Sequence, residues 1–152
     1  MSRKYPERPV VGVGVVVLGA AGVLMIRRGK PPREGQWSLP GGAQKLGETA
    51  FEAAKREARE ETGLDVEVLG LIDVVDSIRH DDDGRVQYHF TLVDVLAVVA
   101  NGQPARPTAG GDAADAAWFG FDDLPGLGLW SETDRIIKLG REMHQALDAA
   151  RD

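Results

Sequence analysis

Three glutamates, Glu57, Glu60 and Glu61, stand at positions i, i+3 and i+4 of a stretch rich in Ala and Glu. In a helix that spacing puts all three on one face. Like charges so placed repel by roughly a few tenths of a kcal/mol per pair, so something must compensate. One compensation is ion pairing on a solvated helix, Glu52 with Arg56 and Arg56 with Glu60. The other is a hard cation: clustered carboxylates and a backbone carbonyl suit Mg2+, which keeps waters and phosphate oxygens as its remaining ligands.

The residues upstream bear on that choice. Gly41-Gly42 allows unusual backbone angles and a close approach to a ligand. Arg27, Arg28, Lys30 and Arg33 cluster before it. They read either as a solvated basic loop or, beside a carboxylate–metal site, as a clamp for a polyphosphate.

Gly41 to Leu64 reads GGAQKLGETAFEAAKREAREETGL. The segment resembles the Nudix box, G-x5-E-x7-R-E-U-x-E-E-x-G-U, where U is aliphatic. Gly42, Glu48, Arg56, Glu57, Glu60, Glu61 and Gly63 fill its fixed positions, and Ala58 and Leu64 its aliphatic ones. Trp37-Ser38-Leu39-Pro40 resembles the usual lead-in to the box. Ala117-Trp118-Phe119 with Asp122-Asp123-Leu124-Pro125 resembles the strand and turn near the family's C-terminal end. The resemblance covers nearly the whole chain. It implies the Nudix fold, an α/β/α sandwich around a mixed sheet with the box as loop-helix-loop, and hydrolysis of the diphosphate link in a nucleoside diphosphate derivative.

By the same resemblance, Glu57, Glu60 and Glu61 bind a divalent ion with help from the Gly41 carbonyl. Mg2+ is the implied cofactor, with Mn2+ able to substitute. Such ions neutralise charge on the diphosphate and lower the pKa of a bound water. Arg56 is expected to hold the glutamates in place. Glu48 is expected either to bind a metal through water or to cap the helix. A further carboxylate outside the box is common in the family, and Asp112 and Asp115 are the candidates; each reads equally as a solvated loop acid.

Other side chains invite blander readings. Asp81-Asp82-Asp83 before Gly84 reads as a turn. Tyr88, His89 and Phe90 lie in an alternating strand, one face of which could stack on a nucleobase, although core packing is the simpler reading for Tyr88 and Phe90. Trp37 and Trp118 read as packing residues. The three scattered histidines form no nucleophile set.

The chain resembles the small bacterial-type Nudix proteins often assigned to ADP-ribose pyrophosphatase, which implies ADP-ribose, cleaved to AMP and ribose 5-phosphate, or a similar nucleoside diphosphate sugar. A MutT-like activity, splitting a nucleoside triphosphate into NMP and pyrophosphate, is the alternative. The Ser-Gln-Pro-Trp-Pro run of NADH pyrophosphatases is absent, as is the proline that marks one ADP-ribose subgroup soon after the box: the first one past it is Pro104. Some Nudix domains only sense nucleotides within regulators. The complete set of glutamates, and the lack of room for a DNA-binding domain, argue against that reading.

These residues must be positioned by a small set of elements. An apolar run over residues 10–26, flanked by Arg3, Lys4 and Arg8 and by Arg27 and Arg28, could suggest a membrane span. It is shorter than the roughly 20 residues a spanning helix needs and rich in Val and Gly, so two buried strands are expected, 10–18 and 23–27, joined at Gly19-Ala20-Ala21-Gly22. A glycine- and proline-rich loop over 29–47 leads to a helix over 49–62 that stops at Gly63. Strands are expected over 66–77 and 86–99 with a turn at Asp83-Gly84, then a loop over 101–115 and a strand over 116–121. An irregular stretch over 122–130 precedes a last helix, capped at Ser131 and reaching about 149.

The 152 residues suit one domain over 1–152, with 1–9 a loose arm. Hydrophobic residues make up 43% and charged ones 28%, an ordinary globular composition. A net charge of -6 disfavours nucleic acid as a partner, so the substrate is expected to be a small nucleotide. The absence of cysteine excludes disulfides and thiolate chemistry and fits a cytoplasmic protein. By analogy with small relatives, an apolar strand or the segment 126–130 would supply the interface of a homodimer.

Overall fold

The computed structural model describes residues 3–100 and 106–151. The apolar run forms strands β1 (Val10–Gly19) and β2 (Gly22–Arg28). Both are almost wholly buried, as expected of strands covered on two faces. Then come β3 (Trp37–Ser38), β4 (Gly41–Ala43), α1 (Ala50–Thr62), β5 (Val66–His80), β6 (Val86–Val99), β7 (Ala113–Phe119), a 3-10 turn (Phe121–Leu127) and α2 (Ser131–Arg151). No helix among the described residues is long and apolar enough to cross a membrane.

The sheet is mixed and runs β3-β2-β1-β6-β5, with β4 on β1 and β7 on β2. β1 and β6 are parallel from Val10↔Phe90 to Leu18↔Val98. β1 meets β2 only at its end, Leu18↔Val23 and Gly19↔Gly22. Its first half pairs instead with β4, Gly12↔Ala43 to Gly14↔Gly41. β1 and β2 therefore fork, and β4 enters the fork.

Strand alternation divides the core in two. Val13, Val15 and Val17 of β1 and Val95 of β6 meet Ala53, Ala54 and Ala58 of α1. Val16, Leu18 and Leu96 share the other face with Ile136 and Ile137 of α2 and with Leu124. This is the expected α/β/α sandwich.

Several element boundaries differ from expectation. The 29–47 loop contains β3 and β4, whose glycines carry no strand propensity and are held by pairing alone. β7 begins three residues early, at Ala113, because its partner is β2. The stretch 122–130 includes the 3-10 turn. Ser131 is the first residue of α2 and not its cap, since the Asp134 N–H donates to the Trp130 carbonyl. Residues 101–105 of the expected loop lie outside the described residues. Of the expected arm, residues 3–9 are described: the Tyr5 N–H donates to the Gln87 carbonyl and the Tyr5 hydroxyl to Asp81, tethering this part to the β5–β6 turn.

Candidate active site

A cavity of about 1040 Å3 lies beside the fork, lined by parts of β1, β2, β4, β6 and α1. Its acidic wall is built by α1. Thr49 caps this helix: its hydroxyl accepts the Glu52 N–H, and the Glu52 carboxylate accepts the Thr49 N–H, a reciprocal capping box. Glu52 is thereby engaged at the cap, so the expected Glu52–Arg56 pair does not form. Gly63 ends the helix at φ 73°. Between these stops, Glu57, Glu60 and Glu61 all line the cavity.

Arg56 gathers the acids. Its Nε and Nη2 donate to the two oxygens of Glu48 at 2.7 and 2.8 Å. Nη1 donates to Glu57 at 2.8 Å and to Glu60 at 3.2 Å, and Nη2 also reaches the Ala43 carbonyl at 3.0 Å. Glu48 is thus gripped by Arg56 and accepts the Lys45 N–H; it does not cap α1. The guanidinium holds the Glu48 carboxyl at about 2. Glu61 instead accepts the Gly41 N–H at 2.7 Å. Burial pushes Glu61 up to about 7, against the pull of that N–H, and the nearby Glu57 adds to the rise. Burial also raises Glu57. Gly42 leaves space for this group: a Cβ there would stand 2.6 Å from the Glu57 carboxyl carbon.

These donors are hard oxygens in a partly desolvated wall where carboxylates outnumber cations, and that chemistry fits a divalent ion. Among the described residues no three acidic or imidazole groups already close around one point. Arg56 and the Gly41 N–H hold the carboxylates that an ion would take.

The basic residues divide. Arg28, Lys30 and Arg33 line the cavity. Arg28 Nε donates to the Pro32 carbonyl at 2.6 Å; burial lowers its pKa, while Glu61 and Asp112 oppose the fall. Arg33 lies 4.2 Å over the Trp130 ring. Lys30 pairs with Asp112 at 2.9 Å. Arg27 is exposed and outside the lining, because adjacent strand residues face opposite ways and Arg28 takes the cavity side. Its register partner Asp115 is likewise outside, exposed and accepting the Ala116 N–H. Asp112 lines the cavity.

Aromatic groups complete the wall. Tyr88 and Phe90 stack at 6.5 Å, Tyr88 being buried as core and both facing the cavity. Trp37 packs edge-on against Phe119 at 4.9 Å. Asp81 accepts the N–H groups of Asp83 and Arg85, as a turn acid does. Sequence reasoning missed Asp94, a cavity-lining acid on β6. Its signal was a single charge inside the apolar run from Phe90 to Val99.

Residues 8–139 match the family model of the NUDIX domain. An ADP-ribose pyrophosphatase of Methanocaldococcus jannaschii is 35% identical over 130 residues, covering 86% of this chain and 72% of that protein. An oxidized purine nucleoside triphosphate hydrolase of Danio rerio is 32% identical over 127 residues, covering 81% and 69%. The crystal structure of a MutT NUDIX hydrolase from Burkholderia pseudomallei superposes with a TM-score of 0.72 at 30% identity, covering 88% of this chain and 98% of that one. The matched span contains both faces of the sandwich, the fork and the whole acidic wall, and the chain belongs to the Nudix hydrolase family.

Proposed function

We propose that the chain hydrolyses ADP-ribose to AMP and ribose 5-phosphate, with Mg2+ as cofactor and Mn2+ able to replace it. The observation that carries this reading is one cavity shared by Glu57, Glu60 and Glu61 and by Arg28, Lys30 and Arg33. A diphosphate needs both walls: carboxylates for a cation, and guanidinium forks for phosphate oxygens. The Methanocaldococcus jannaschii relative supports ADP-ribose in particular.

In this reading Glu57, Glu60, Glu61 and the Gly41 carbonyl hold the ion. When bound it offsets charge on the diphosphate oxygens and makes a water more acidic. Arg56 positions the carboxylates, and Glu48 keeps Arg56 in register. Arg28 and Arg33 hold the diphosphate. Asp112, set by Lys30, is the carboxylate outside the acidic helix. Hydrolysis adds a hydroxyl to one phosphorus, and the bridging oxygen departs with the other phosphate.

A hydrolysis panel with chromatographic resolution of products tests the proposal. ADP-ribose should be cleaved to AMP and ribose 5-phosphate with a far higher kcat/KM than triphosphates. The Danio rerio relative favours a second reading, in which a nucleoside triphosphate gives NMP and pyrophosphate; pyrophosphate as the main product would install it. Silence across the panel would overturn both. The working assembly in this proposal is a cytoplasmic homodimer joined through an apolar strand.

A further inference from the structure

The cavity has a second wall, facing away from α1. Gly12 and Gly14 of β1 and Phe90, Leu92 and Asp94 of β6 line it. By alternation they share the sheet face of Val16 and Leu96, which α2 covers. Asp94 is the exception in this set. It is 4% exposed, and no hydrogen bond from a described residue reaches its carboxyl. Its strand partner makes room for it: a Cβ on Gly14 would stand 2.2 Å from Asp94 Oδ1.

The surroundings do not compensate this group. The charges that act on it are Asp73 and Glu132, which oppose its ionisation, and Arg135, which favours it. Arg135 is engaged by Asp73 at 3.0 Å and by Glu132. Its oxygens are not sealed away without a partner; they open to the cavity, and a carboxyl held in so small an opening calls for an explanation. Because Asp94 presents its acceptors to the cavity and no described residue donates to them, they are available to a ligand.

The chemistry of the wall narrows that ligand. Phosphate is disfavoured beside Asp94, Asp73 and Glu132. Leu39, Phe90 and Leu92 suit a flat apolar ring better than a hydroxylated sugar. A carboxyl offers an acceptor oxygen in either protonation state, so a donor on the ring's edge is matched in both. We propose that Asp94 accepts a hydrogen bond from the 6-amino group of an adenine seated at this end of the cavity. The choice of adenine rests on the ADP-ribose reading of the cavity, and the binding itself does not rest on hydrolysis.

Calorimetric titration of the full chain in EDTA tests it, with AMP, purine riboside 5′-monophosphate and ribose 5-phosphate as ligands. The second ligand is AMP without its amino group. The unaltered protein should bind AMP about tenfold more tightly than this analogue. Asp94→Leu should erase that preference while binding the analogue and ribose 5-phosphate as before. Asp94→Asn keeps an acceptor oxygen and should keep part of the preference. A preference for AMP that survives in Asp94→Leu overturns the assignment. So does an unaltered protein that shows no preference or no binding, or an equal loss for all three ligands, which is the mark of a merely structural role. Loss of hydrolysis with the AMP preference intact would remove only the proposed reaction. Hydrolysis of ADP-ribose without the preference would remove only the adenine seat.

Discussion

Arg56 divides one guanidinium among Glu48, Glu57, Glu60 and the Ala43 carbonyl. An ammonium cannot reproduce that planar fork. Arg56→Lys should therefore leave the fold intact but release the carboxylates, with about a 10- to 100-fold loss of activity or metal affinity. A Mg2+ titration of kcat/KM reads it, and an unchanged activation curve would refute the positioning role. Glu60 is half exposed, so Glu60→Gln should fold normally. Loss of its charge should cost turnover about 100-fold, comparable with removing a group that stabilises transition-state charge; full activity would sink the proposed metal site.

Asp94 supplies a different readout. Burial, reinforced by Asp73, pushes its carboxyl from the ordinary 3.8 up to about 6. The folded state therefore binds this proton more tightly than the unfolded chain. The resulting stabilisation is fully present below about pH 3.8 and is lost as pH rises through about 6. At about 1.4 kcal/mol per tenfold change in proton affinity, the difference amounts to about 3 kcal/mol. Asp94→Asn should thus gain on the unaltered protein by up to about 3 kcal/mol between about pH 4 and pH 7. Urea denaturation at both ends of that range measures the gain, and parallel stability curves would contradict it.

At the scale of elements, α1 is the part that places the carboxylates, and its stops were legible. Thr49 with Glu52 and the terminal Gly63 are local signals, because capping needs only the residues of one turn. Thr49→Ala should lower stability by about 1 kcal/mol, seen as a lower urea midpoint with an unchanged m-value. The glutamate face was legible for the same reason, since helical spacing is fixed by the backbone. The wall opposite was not. Gly41-Gly42-Ala43 has no strand-forming pattern, and it becomes β4 only because β1 and β2 part to admit it. Which of Arg27 and Arg28 faces the cavity depends on pleat phase, which a cluster of basic letters does not encode. Asp94 became a cavity residue through parallel pairing with β1, a contact between segments roughly 80 residues apart in sequence.

For the whole molecule, the exposed edge of the sheet bears on assembly. The sheet path ends at β5, a strand of 15 residues. Leu71, Val74 and Ile78 on this strand are about half exposed, at 51%, 48% and 50%. A long edge strand bearing apolar side chains is a template for pairing with another chain, and soluble proteins usually blunt it or cover it. A second copy covers it with least demand, since a two-fold axis brings the same patch to itself. The net charge of -6 opposes association in general, so contact should fall on the least charged surface. We therefore expect light scattering at micromolar concentration to give twice the chain mass of 16.4 kDa. Ile78→Glu places two like charges near such an axis, at a position half exposed in the single chain. It should return the mass to 16.4 kDa with little loss of chain stability. A monomeric unaltered protein would exclude the homodimer, and a dimer indifferent to Ile78→Glu would move the interface away from β5.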